Sequence, residues 1–203
     1  MIDKITTSLT NKIRKEMPEI DDERAEVINY GLQILFGEIP KFVIMFFIAY
    51  ILGLFKLSLI TFLILLPYRT FSGGFHLKTH IGCIVSTCTV YCGVAFLSKS
   101  IILDDITKYL FIIVLGVFGM AMIKLYAPAD TENVPIISLS ERKNKQRLSY
   151  IFFVLGLVMS IFIKNSVISN MILFGYFAQT CMITRFAYKL TNNKYGYELY
   201  ENA

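Results

Sequence analysis

Cys83 follows His76 by seven positions in a stretch that reads Pro67-Tyr68-Arg69-Thr70-Phe71-Ser72-Gly73-Gly74-Phe75-His76-Leu77-Lys78-Thr79-His80-Ile81-Gly82-Cys83, and His76 and His80 are the only histidines in the chain. A cysteine becomes a nucleophile when a neighbouring base takes its proton or when positive potential favours the thiolate. Thr79 is placed to cap a helix that starts just after it, which would set Cys83 in the first turns, where free backbone amides favour negative charge. On a continuous helix seven positions are about 10.5 Å of rise, too far for a hydrogen bond, so His76 must lie in a loop if it is to serve Cys83. Gly73-Gly74 can double that loop back, because glycine accepts the positive φ of a tight reversal. His80, three residues from Cys83 and on the same helical face, is the rival base. A structural thiol beside interfacial histidines is the plainer reading. A metal held by His76, His80 and Cys83 is a weak one, since the stretch has no CxxC and no nearby carboxylate; no metal or cofactor is expected.

The other candidates are ranked by the same geometry. Cys88 lies about 140° and Cys92 about 180° around the helix from Cys83, so both face away from the histidines and read as small packing residues, as does Cys181. Arg69, at the end of an apolar helix, most simply snorkels to lipid phosphate; its functional alternative is to hold a substrate carboxylate or a developing oxyanion. Asp130 and Glu132 could orient an imidazole, although an exposed acidic turn between Pro128 and Pro135 is the simpler reading. Arg142, Lys143, Lys145 and Arg147 form a basic anchor that could also attract an acidic peptide tail.

The elements that must position these residues are membrane helices. Of the 203 residues 55% are hydrophobic and only 17% charged, and the mean hydropathy is +0.59, more than a soluble core of this length needs. Residues 1–18 place Ile2, Ile5, Leu9, Ile13 and Met17 at helical spacing with lysines elsewhere, an amphipathic helix for the membrane surface. A half-polar helix is expected over 24–39, to be ended or kinked by Pro40. Six apolar blocks follow, at 42–55, 57–67, 81–97, 109–123, 148–163 and 167–184. The first two are short against the roughly 20 residues a span requires and must borrow flanking residues, tilt or thin the bilayer. The expectation is one all-α polytopic membrane domain over 1–203, with about six transmembrane helices and an interfacial N-terminal helix, and membrane lipids as its surroundings.

With both termini inside, sixteen of the twenty Lys and Arg fall on inner segments and only Lys56, Lys99, Lys108 and Lys164 outside, which puts both termini and the His76 loop on the cytoplasmic side. The first twenty-five residues hold no long apolar run or cleavage pattern, so no removable secretion signal is expected. All four cysteines sit in or beside apolar blocks and are expected as free thiols. Basic residues are not interleaved with exposed aromatics, which argues against a nucleic-acid surface. No internal repeat or inverted pair of broken spans marks a secondary transporter, and a membrane exporter using the polar segment as a gate stands as the alternative to an enzyme.

Arg69, Gly73-Gly74, His76 and Cys83, followed by Tyr126-Ala127-Pro128-Ala129-Asp130-Thr131-Glu132-Asn133 and Pro135, resemble the accessory gene regulator protein B family, AgrB, of Gram-positive quorum sensing. The likeness extends over essentially the whole chain, and the core motif is matched without departure. It implies a cysteine endopeptidase of the bacterial cytoplasmic membrane that cuts an AgrD-like propeptide near its C-terminus and promotes its cyclisation to an autoinducing peptide. By the resemblance His76 is the base and Cys83 the nucleophile, while Arg69 and Gly74 match positions the family needs. The N-terminal helix would meet an amphipathic leader on that substrate, and a small bundle with polar cytoplasmic loops is of a kind that can pair as a homodimer.

Overall fold

The computed structural model describes residues 2–77, 79–132, 135–136 and 138–200. Nine helices run along them: α1 (Ile2–Glu16), α2 (Asp22–Ile51), α3 (Phe55–Ser72), α4 (His80–Ser100), α5 (Asp105–Tyr126), α6 (Leu139–Phe162), α7 (Ser166–Met182), α8 (Arg185–Leu190) and α9 (Tyr197–Tyr200). Isolated bridge residues occur at Gly73, Ala129 and Thr131, Gly73 pairing with Ala129, and no strand occurs among the described residues. The protein is all-α, as its composition predicts.

Local chemistry sets the helix starts. Asp21, Thr79, Asp104, Ser138, Asn165 and Thr184 each stand in an extended conformation and accept a backbone amide of the first turn, which satisfies a donor that the helix cannot. Pro40 does not end the helix: the half-polar helix over 24–39 and the first apolar block are one continuous helix, α2, with Pro40 inside it. A proline removes a single intrahelical donor, and the flanking turns carry the helix past it. Its end comes at Leu52 and Gly53, where φ is +66°. The short second block likewise gains a turn through Pro67, Tyr68 and Arg69.

Five helices, α2 to α6, are long and apolar enough to cross a membrane. The sixth apolar block forms α7, 17 residues long or about 25 Å, which contacts α3, α4, α5 and α6 and runs through the middle of the bundle. Tyr68, Phe153 and Tyr176 pack ring to ring here, Tyr68 lying 4.9 Å from Tyr176 and 5.4 Å from Phe153. Gly119 and Gly156 make room for these rings: a Cβ on either would come 2.1 Å from Phe153 or 2.3 Å from Tyr176. The outer surface is apolar in turn, with Phe162 77%, Val117 71% and Ile113 64% exposed, as suits contact with lipid rather than water.

α1 folds back along the start of α2. Thr6 and Thr10 are its buried side chains among those described, small enough to let the two helices approach, and Arg14 pairs with Asp22 at 2.8 Å. Ile5 and Met17 of the predicted apolar stripe remain exposed.

Candidate active site

The site is built where α3 ends and α4 begins. Thr79 caps α4 as the sequence predicts, its Oγ1 accepting from the Gly82 amide at 3.1 Å, and the Cys83 amide donates to the Thr79 carbonyl at 3.0 Å. Cys83 therefore makes the first intrahelical bond of α4, near the positive end of that helix. His76 lies outside any helix, in the segment that returns from α3, as the seven-residue spacing requires. His80 is the first residue of α4 and exposed. All four cysteines are free thiols, and Cys92 faces inward to Ser58, 3.8 Å away.

Two glycines make the reversal. Gly73 has φ +74° and Gly74 φ +136°, conformations that L side chains rarely adopt. Space is short there too: a Cβ on Gly73 would stand 2.3 Å from the Ala129 carbonyl oxygen, and one on Gly74 2.5 Å from Arg69 Nη1, which would have to move. The turn is clasped to the segment after α5, because the Ala129 amide donates to the Ser72 carbonyl and the Gly74 amide donates to the Ala129 carbonyl, each at 2.8 Å.

Arg69 turns into the bundle instead of snorkelling to the surface. Its Nη1 donates to Gln179 Oε1 at 3.2 Å and approaches the Met182 sulfur at 3.5 Å, while Nη2 donates to the Phe75 carbonyl at 3.3 Å. The inward turn follows from the missing Gly74 side chain, which leaves the guanidinium its place. Gln179 completes the arrangement by donating from Nε2 to Ser72 Oγ and to the Gly73 carbonyl, both at 2.8 Å. Arg69 thus meets neutral hydrogen-bond partners only among the described residues, and its charge is felt at His76.

His76 is an exposed residue, yet the protein packed around it, followed by the Arg69 charge, pushes its pKa down to about 4. Glu38 opposes the shift and Lys41 adds to it, so an ion pair on α2 between these two residues also faces the site. The Cys83 thiol donates to the Leu77 carbonyl at 3.2 Å, and no hydrogen bond joins it to His76 among the described residues. The His76 imidazole is neutral at rest. No group of three His, Cys, Asp or Glu side chains among the described residues could hold a metal ion.

The segment after α5 is not an exposed acidic turn. Ala127 to Thr131 are buried, and the Asp130 carboxylate accepts from Arg142 Nη1 at 3.0 Å, the Ile136 amide at 3.0 Å and the Gly196 amide at 3.2 Å. Burial is possible because a guanidinium and two amides replace the lost water. These bonds lead to α6 and to the C-terminal segment, and none reaches His76. Glu132 is half-buried in the turn that follows. Arg142, the first of the predicted basic anchors, is the partner of Asp130, whereas Lys143 and Arg147 are exposed.

Sequence reasoning missed Gln179, Ser72 and the Glu38–Lys41 pair. Gln179 had a signal, an amide alone in an apolar helix, where such groups hydrogen-bond across helices. The partnership of Ser72 with Ala129 had none, because it joins residues far apart in the chain.

Residues 6–183 match the family model described as Accessory gene regulator B. The chain is 29% identical to an AgrB-like protein of Listeria innocua over 192 residues, 93% of this chain and 91% of that one. An AgrB-like protein of Listeria monocytogenes is similar to the same extent. Accessory gene regulator protein B of Staphylococcus aureus is 32% identical over 117 residues, 57% of this chain and 60% of that protein. No solved structure matches the chain.

Proposed function

Because the chain belongs to the accessory gene regulator B family, we propose that it acts in quorum-sensing signal processing as a membrane cysteine endopeptidase, cutting an AgrD-like propeptide and promoting its cyclisation. One observation carries the reading: Cys83 stands in the first turn of α4 with its thiol donating to the Leu77 carbonyl of the loop that carries His76.

The chemistry follows from those positions. As the propeptide carbonyl reaches Sγ, the thiol leaves the Leu77 carbonyl and passes its proton to the neutral His76 ring. The sulfur bonds to the carbonyl carbon, and the oxyanion forms near Arg69 and the first amides of α4. His76 then gives its proton to the leaving nitrogen, the C–N bond breaks, and the C-terminal fragment departs from a Cys83 thioester. A thiol or hydroxyl within the retained peptide attacks that thioester and releases Cys83, closing a thiolactone or lactone. Exchange of this kind is nearly balanced, so water must be kept out until the internal group arrives; the clasped turn at the end of the bundle suits that exclusion.

The basic asymmetry supports a bacterial cytoplasmic membrane location with both termini and the site on the cytoplasmic side. A homodimer and the amphipathic α1 as a meeting point for the substrate leader belong to the same proposal. The test is to mix the purified protein in lipid with candidate propeptides and look by mass spectrometry for an acyl adduct on Cys83. Adduct and cleavage are expected with the native chain and neither with Cys83→Ala; persistent cleavage by that variant ends the proposal.

A further inference from the structure

The C-terminal segment, which begins where the family match ends, is bonded to the same backbone oxygen that holds the His76 loop. That oxygen is the carbonyl of Ala129. It accepts from the Gly74 amide at 2.8 Å and from the Tyr188 hydroxyl at 2.9 Å. The hydroxyl lies equally close to the Asp130 carbonyl. Tyr188 is itself held firmly. It is 1% exposed, and its ring stacks on Tyr195 with centroids 4.0 Å apart and planes 10° apart. Tyr195 in turn donates to the Ile183 carbonyl at 2.8 Å. The Gly196 amide donates to Asp130, where a Cβ on Gly196 would stand 2.7 Å from Oδ2. Arg142 closes the group by pairing with Asp130 and lying 4.5 Å from the Tyr197 ring.

We propose that Tyr188 is a positioning residue for His76, acting through the Ala129 carbonyl and the Gly74 amide. The inference rests on the role given above to His76. The path is short. Ala129 fixes Gly74, Gly74 admits the Arg69 guanidinium, and Arg69 donates to the carbonyl of Phe75, the residue before His76. Loss of the Tyr188 hydroxyl leaves the Ala129 carbonyl with one donor instead of two. The turn then loosens, and the imidazole drifts from Arg69 toward water. The charged groups that face the ring are Arg69 on α3 with Glu38 and Lys41 on α2, so a displaced ring meets a different field.

The histidines make the test direct. The full chain in lipid has two imidazole signals in NMR, and His76→Ala assigns one of them. In the native protein the His76 midpoint is expected far below that of a free imidazole. In Tyr188→Phe, which keeps the stacked ring, it is expected to rise by about one unit or more. Tyr126→Phe is the control, because Tyr126 stacks on Tyr195 but its hydroxyl makes no hydrogen bond among the described residues. An unmoved midpoint in Tyr188→Phe, or an equal shift in Tyr126→Phe, overturns the inference. Should Tyr188→Phe fail to fold, Arg142→Gln, which loosens Asp130, is read the same way. Cleavage by Cys83→Ala is measured separately, so the enzymatic reading can fall while the positioning role stands, and the reverse.

Discussion

The Cys83 thiol donates to the Leu77 carbonyl at 3.2 Å, so the loop that carries His76 is tied directly to the sulfur. His76→Ala is expected to lower kcat for propeptide cleavage by about 10²–10⁴-fold while His80→Ala, at the first residue of α4, has little effect. Equal losses in the two variants would return His80 to the role of base.

The acid limb of the same reaction has a definite sign. A base works when neutral, and the His76 pKa is lowered to about 4, below the roughly 6.5 of a free imidazole. Activity should therefore persist as pH falls through 6.5 and fail only well below it. A profile of kcat/KM against pH with its acid limb near 6.5 would contradict the depressed value.

Gly74 and Gly93 make a matched pair for substitution. A Cβ at Gly74 meets Arg69 Nη1 at 2.5 Å on a backbone with φ +136°, whereas one at Gly93 meets nothing within 4 Å. Gly74→Ala is expected to cost about 1–3 kcal/mol in strain and to lower cleavage at least about tenfold by displacing the guanidinium. Gly93→Ala should keep both activity and unfolding temperature. Comparable cleavage by the two variants in lipid would show that the Gly74 contact is not needed.

Much of this site can be read from local sequence, because its logic is local. A threonine before a helix caps it, two glycines permit a reversal, and a seven-residue gap puts His76 in a loop. The burial of Asp130 cannot be read this way, since Arg142, Ile136 and Gly196 come together only when α6 and the C-terminal segment have packed. Pro40 fails to end its helix for a related reason. Its local cost is real, but tertiary packing of α2 against α3 and α4 outweighs one missing hydrogen bond.

Arg69 tests whether the site needs a charge or a shape. Its guanidinium reaches Gln179, Met182 and the Phe75 carbonyl at once, which a single ammonium cannot reproduce. Arg69→Ala should lower kcat by about 10²–10³-fold, in the range of losing an oxyanion donor. Arg69→Lys restores the charge but only part of the fork, and is expected to recover a minor share of the activity. Full recovery by lysine would mean that charge alone suffices.

Asp130 separates a structural carboxylate from one that orients an imidazole. Its side chain is fully shielded from solvent while Arg142 and two amides point at it. Removing one member of a buried pair leaves the other without compensation, so Asp130→Ala should cost about 3–5 kcal/mol of stability. Asp130→Asn keeps an acceptor for the amides and should cost less. The measurement is unfolding in lipid, followed together with protease cleavage after residue 190. Both should move in parallel for Asp130→Ala, because the Gly196 contact holds the C-terminal segment. Unchanged unfolding alongside a lost acid limb would instead make Asp130 the partner of His76.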